Sequence, residues 1–239
     1  ALALCTWVRG EPMPAWSRQL RLDARETMKA GLKYLTKTGD CVFDADTFGY
    51  RTQLDSLASL RTALGDESET QQMSALMTLV SNRDDAQQVV SEIIPLLRSS
   101  DRELRALAVH TLTWSVTESE DALRAILALW DDPEPSVRFA VAATLAPGTV
   151  DHKATIDALT ALLPDRDSGV SRQAAVRLLE HESLPEELVR PAIGLLKSGN
   201  VRCDEQMMRL ALEMLGRLTD DVDALIEAEL DEESRAMIA

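Results

Sequence analysis

Apolar residues in this chain recur at two distinct spacings. Over short stretches they fall at i, i+3, i+4 and i+7, as in "AQQVVSEIIPLLRSS" (residues 86–100) and "EDALRAILALWDD" (residues 120–132). That is the period of an amphipathic helix. The stretches between them, "RELRALAVHTL", "SVRFAVAATLA" and "VSRQAAVRLLE", are apolar almost all round. A helix on a surface keeps one polar face. These hardly do, so they are predicted to be covered on more than one side.

The longer spacing supplies the cover. Leu79, Leu112, Leu145 and Leu178 follow one another at 33 residues, as do Leu96, Leu129, Leu162 and Leu195. Leu57, Val90, Leu123, Ile156, Val189 and Val222 form a third column, and Leu104, Val137 and Val170 a fourth. Small residues hold the same register at Ala75, Ala108, Val141 and Ala174. Each period holds one amphipathic and one uniformly apolar helix, and a single such pair cannot bury its own surface. The pairs are therefore predicted to stack in a line, each second helix packed by its partner and by its equivalents on either side. Helix starts are expected at capping-box spacings, Ser100 with Glu103, Thr117 with Glu120 and Ser183 with Glu186. Pro133 and Pro135 break the chain ahead of a helix opened by Ser136 and Val137.

Neither the T-P-L-H-x-A turn of ankyrin units nor a tetratricopeptide signature is present. The stretch "IIPLLRSSDRELRALAVHTL" resembles the HEAT repeat: Pro95 in the first helix, Asp101 in the turn, then Leu104–Arg105 and an apolar second helix. Asp132, Val137 and Arg138 repeat the pattern, and Asp167 and Val170 do so with the arginine displaced by one, to Arg172. The resemblance covers about residues 53–230. It implies an all-α fold, a right-handed α-α superhelix of about five 33-residue hairpins. The expected domains are a helical cap over 1–52, with a helix at Asp23–Lys37 and an irregular acidic loop, and one continuous array over 53–239. Val201–Arg202 and "CDEQMMRLALEMLG" suggest a fifth pair with an altered turn.

The resemblance also implies a ladder of turn residues, in which Arg105, Arg138 and Arg172 bind the acids Asp101, Asp132 or Asp167 of their own or the preceding unit. Second helices of such arrays line the concave side. His110, Trp114 and Phe139 could project there, with Arg209 in the helical column of His110, and Trp and Arg are favoured interface anchors. Trp114 and Phe139 could equally fill core gaps left by neighbouring alanines.

Charge narrows the partners. The 239 residues carry 40 acidic and 25 basic side chains, a net charge of −15. A nucleic-acid binder gains affinity by neutralising phosphates, and no Lys/Arg cluster offers to do so. The expected partner is a protein with a basic surface. No apolar run reaches the roughly 18 residues that span a membrane. Cys5, Cys41 and Cys203 form no CxxC pair and have no zinc spacing with His110, His152 or His181, which suits reduced thiols in the cytoplasm. The opening "ALALCTWVRG" has no basic region ahead of its apolar run, so an intact signal peptide is not expected and Ala1 is expected to follow a trim.

Candidate chemistry is sparse. Asp44, Asp46, Gly49 and Asp55 match positions 1, 3, 6 and 12 of a calcium loop, but Phe48 and Arg51 stand where an oxygen ligand and an aliphatic belong. A solvated acidic loop is expected instead. No hydrolase, zincin, dinucleotide or phosphate-loop motif occurs, and no catalytic residue, metal or cofactor is expected. The expected function is a non-enzymatic binding scaffold, in one sharper form an acidic inhibitor or immunity-type protein that blocks a basic partner. Two rival readings come from other HEAT-like proteins. One is a phycobilin lyase of the E/F type, and the other is an alkylpurine glycosylase, for which Trp114 and Asp121 exist but a basic groove does not.

Overall fold

In the computed structural model the described residues are 41–44, 49–52, 56–197 and 204–238. The expected helix at Asp23–Lys37, the acidic loop at 45–48 and the turn at 201–203 lie outside them. Two compact units, Ala1–Leu96 and Leu97–Ala239, divide the chain.

In the first unit, β1 (Cys41–Asp44) pairs antiparallel with β2 (Gly49–Thr52), Cys41 facing Thr52 and Asp44 facing Gly49. The sequence reading expected irregular chain here. Val42, Phe43, Tyr50 and Thr52 are strand-favouring types, and together they outweigh the neighbouring acids. Then come α1 (Leu57–Leu64) and α2 (Glu69–Val80). Ser56 caps α1 in a reciprocal box with Ser59, the two amide-to-hydroxyl bonds measuring 3.1 and 3.2 Å. The single helix expected over residues 86–100 is broken into α3 (Arg83–Gln88), α4 (Val90–Ile93) and a 3-10 segment, Ile94–Arg98. Pro95 accounts for the second break, because it has no amide to donate and its ring crowds the carbonyl one turn back.

The second unit repeats a hairpin. Its second helices are α5 (Arg102–Thr111), α7 (Pro135–Thr144), α9 (Ser168–Glu180) and α11 (Glu205–Leu218). Its first helices are α6 (Glu120–Leu127), which follows a 3-10 segment at Leu112–Thr117, then α8 (His152–Leu162), α10 (Val189–Leu196) and α12 (Val222–Glu229). A short α13 (Glu232–Ile238) comes last. The second helices pack in sequence, α5 on α7, α7 on α9, and α9 on α11, while α8 and α10 pack on α9 and α11. This is the stacked architecture of an α-solenoid.

The 33-residue columns form its dry interior. Leu104, Val137 and Val170 have no exposed surface, nor have Ala108, Val141, Ala174 and Met207, nor Leu112, Leu145, Leu178 and Ala211. These positions are four residues apart on each second helix, so three layers of side chains run through the unit in register. Removing such a column from water is the main stabilising contribution, about 25 cal/mol per Å² of apolar surface.

The expected caps are displaced. Asp101, not Ser100, caps α5, accepting from the amides of Glu103 and Leu104 at 2.7 and 2.9 Å. Ser119, not Thr117, caps α6, because Thr117 turns its hydroxyl back to the Trp114 carbonyl at 3.1 Å. Glu186 opens a 3-10 segment behind Pro185 rather than closing a box with Ser183. Pro135 is itself the first residue of α7, where a missing amide costs nothing, so this helix starts one residue before Ser136.

Candidate functional site

In the turn before α9, capping and arginine binding fall to different acids, Asp167 and Asp165. Asp101 and Asp167 cap their own helices, Asp167 through the amides of Gly169 and Val170 at 2.9 and 3.1 Å. Asp132 and Asp165, each two places before an N-cap residue (Glu134 and Asp167), bind arginines. Arg105 donates from Nε and Nη2 to Asp132, both at 2.9 Å, and Arg138 does the same to Asp165 at 2.6 and 2.8 Å. Each arginine also holds its own turn: Arg105 Nη1 reaches the carbonyls of Ser99 and Ser100, and Arg138 Nη1 those of Asp132 and Pro133. Asp132 therefore accepts from Arg105 through its carboxylate and from Arg138 through its carbonyl, and the rungs join.

The HEAT resemblance implies an acid in the arginine's own turn or the preceding one. The structure places it in the following turn, because a guanidinium on a second helix points across the stack toward the next hairpin. Arg172 departs from the implied pairing as well. Asp167 is occupied in capping, Ser171 takes the arginine register and donates to the Leu163 carbonyl, and Arg172 reaches Asp204 at 2.5 Å. Asp165 was missed, although it stands 33 residues after Asp132.

Burial and pairing act against each other at the centre of the ladder. Burial alone would raise the Asp165 carboxyl, but the hydrogen bond from Arg138, the Asp167 amide and the arginine's charge together hold it below its ordinary value. The bond to Asp165 raises Arg138 in turn, against its own burial. Both groups are ionised at neutral pH.

A second set of arginines closes the opposite ends of these helices. Arg177 of α9 donates to the Ala143 carbonyl of α7 at 2.6 Å. Arg217 of α11 donates to the carbonyls of Leu179 and Glu182 at 2.6 and 3.0 Å and to that of His181. Cations there also suit the negative end of the helix dipole. Periodicity of apolar residues gave no hint of these two.

Each second helix leaves a stripe open in a shared register, and α11, the last of them, is open on further sides as well. On α7 only Pro135, Ser136, Phe139 and Ala143 escape full burial. The equivalents in register are Glu103, Ala106 and His110 on α5, Gly169, Arg172 and Val176 on α9, and Glu205 and Arg209 on α11. At helix spacings of about 10 Å, four neighbouring stripes make a strip about 30 Å across. His110 and Arg209 are exposed in it and Phe139 is half-buried, against a half-buried Gly169. Arg209 is held by Glu205 at 3.3 Å. Trp114 is not on this strip. It is half-buried in the 3-10 segment after α5, because that helix ends at Thr111, one turn short of it. Trp130 was passed over, yet at 43% it is one of two large apolar side chains exposed among the described residues, beside Pro164 and Arg166.

The HEAT-repeat match and the fold of a designed armadillo repeat protein agree with this architecture. Residues 90–180 match the family model for HEAT repeats. A designed armadillo repeat protein is similar at 18% identity and a TM-score of 0.51, over 77% of this chain and 87% of its own. An engineered protein from a structural-genomics programme aligns at 18% identity and a TM-score of 0.48, over 76% and 93%. No curated protein is detectably similar in sequence. The chain is a HEAT-like helical-repeat protein by its matched repeats and its stacked hairpins. Among the described residues no helix is long and apolar enough to cross a membrane.

Proposed function

We propose that this HEAT-like array is a non-enzymatic protein-binding module whose partner lies along the second helices. One observation carries the reading: the stripes left open on α5, α7, α9 and α11 are in register, so four separate helices offer one surface. Ala106, Phe139, Ala143 and Val176 make it small or apolar on α5, α7 and α9, interrupted by Arg172, and the charged Glu103, Glu205 and Arg209 stand on the outer helices. An apolar centre inside a polar rim is the anatomy of a protein interface.

The partner's chemistry follows from charge. The net charge of −15 favours a basic protein, which would be drawn in from a distance and held at the acidic margin. Glu103 and Glu205 provide that margin on the strip, while the exposed acids of the first helices and turns, at Glu118, Glu120 and Asp121, at Glu186 and Glu187, and at Asp220, Asp221 and Asp223, add to the long-range attraction without lying on it. An inhibitor or immunity-type role, in which the array covers a basic toxin, is the sharpest form of this reading and places the protein in the cytoplasm.

Affinity capture from native lysate tests it, with wild type beside the double variant Phe139→Glu/Ala143→Glu. The reading expects a stoichiometric basic protein with the wild type and at least a tenfold loss with the variant. Equal recovery by both, or an acidic partner, contradicts it.

A further inference from the structure

His181 is the residue after α9, 1% exposed, and neither of its ring nitrogens has a hydrogen-bond partner. Its ring lies 4.9 Å from that of His152, centroid to centroid, tilted by 52°. His152 is exposed and is the first residue of α8. The His181 amide donates to the Leu178 carbonyl at 3.1 Å, and its own carbonyl accepts from Arg217 of α11. A single residue therefore ties three helices: α8 by its ring, α9 by its amide and α11 by its carbonyl.

A buried imidazole without partners is a poor filler, because its N–H is desolvated for nothing. What an imidazole offers that an apolar side chain of that size does not is a proton uptake in the neutral range. The charges facing it come from all three helices: His152 on α8, Arg177 and Glu180 on α9, and Arg217 on α11. Glu180 alone favours a proton on His181.

We propose that His181, packed on His152, is an acid-sensitive catch, which closes the corner between α8, α9 and α11 when its ring is neutral and releases it when the ring is charged. Burial, then the charge on His152, with Arg177 and Arg217 behind them, holds the His181 imidazole below its ordinary 6.5, Glu180 opposing. The released chain regains the ordinary value and so takes up more protons than the closed one. The catch is complete above pH 6.5 and weakens as the pH falls below it.

Thermal melts of wild type and His181→Leu at about pH 7.5 and about pH 5 test the catch. The wild type is expected to lose about 3 °C more than the variant over that interval, which is what a roughly tenfold change in the folding equilibrium does to the midpoint of a chain this long. Ring-resonance titration of the wild type is the companion measurement and decides the matter if the variant does not fold. His181 is expected to titrate below 6.5, with protection of the His181 amide from exchange falling along the same curve. Equal losses in the two proteins, a ring that titrates at 6.5 or above, or an amide whose protection is indifferent to that titration each overturn the proposal.

Discussion

Arg138 shows how much one side chain can be asked to hold. It makes two bonds to Asp165 and two to its own turn, with 4% of its side chain exposed and 8% of its partner's. Replacing it by alanine leaves a carboxylate buried without its counter-ion, and the expected cost is about 3–5 kcal/mol in denaturant unfolding. Arg105, 11% exposed, should follow closely. Arg172→Ala should cost about 1 kcal/mol or less, because Asp204 is 52% exposed and water screens the pair. A flat response across the three would show that burial does not set the strength of a rung. Acid gives a second reading of the same pair. Since Asp165 ionises below its ordinary value when folded, its contribution is present above about pH 4 and is lost as pH falls through the folded value. Melts at decreasing pH should therefore fall less steeply below about pH 4 in Asp165→Asn than in wild type.

Helices in this chain are fixed more firmly along their length than at their ends. The columns at 33-residue spacing were legible because burial demands the same residue class at each repeat, and Leu104, Val137 and Val170 all lie where the period puts them. Caps obey no such demand. Ser100 has the spacing of a capping box, yet Asp101 beside it offers a charged acceptor within reach of two amides and takes the position. Asp101→Ala should accordingly lower stability by about 1 kcal/mol, while Ser100→Ala should change it by less than about 0.5 kcal/mol. Chemical denaturation of the two single variants distinguishes them, and the opposite order would return the cap to the serine. The strand pair at Cys41–Thr52 escaped notice for a related reason: four-residue strands are too short for alternation to stand out from an acidic loop.

Across the molecule, the ladder and the open strip are two consequences of one stacking step. The 33-residue step that carries Arg105 to Arg138, and Asp132 to Asp165, also carries Ala106 to Phe139 and His110 to Ala143. His110 and Arg209 fall in one helical column, and Phe139 lies one turn before it on α7. Trp114 falls beyond the end of α5, and that end depends on local backbone geometry, which periodicity does not report. Binding by a surface built this way is spread over several helices, so each anchor should matter in proportion to its closeness to the middle of the strip. The most direct measurement places a photo-reactive amino acid at Ala143, in the strip, or at Glu120, on a first helix, in otherwise unaltered protein. Partner adducts formed at Ala143 and at most weakly at Glu120 are the predicted result. Adducts formed only at Glu120, or equally at both, would contradict the account.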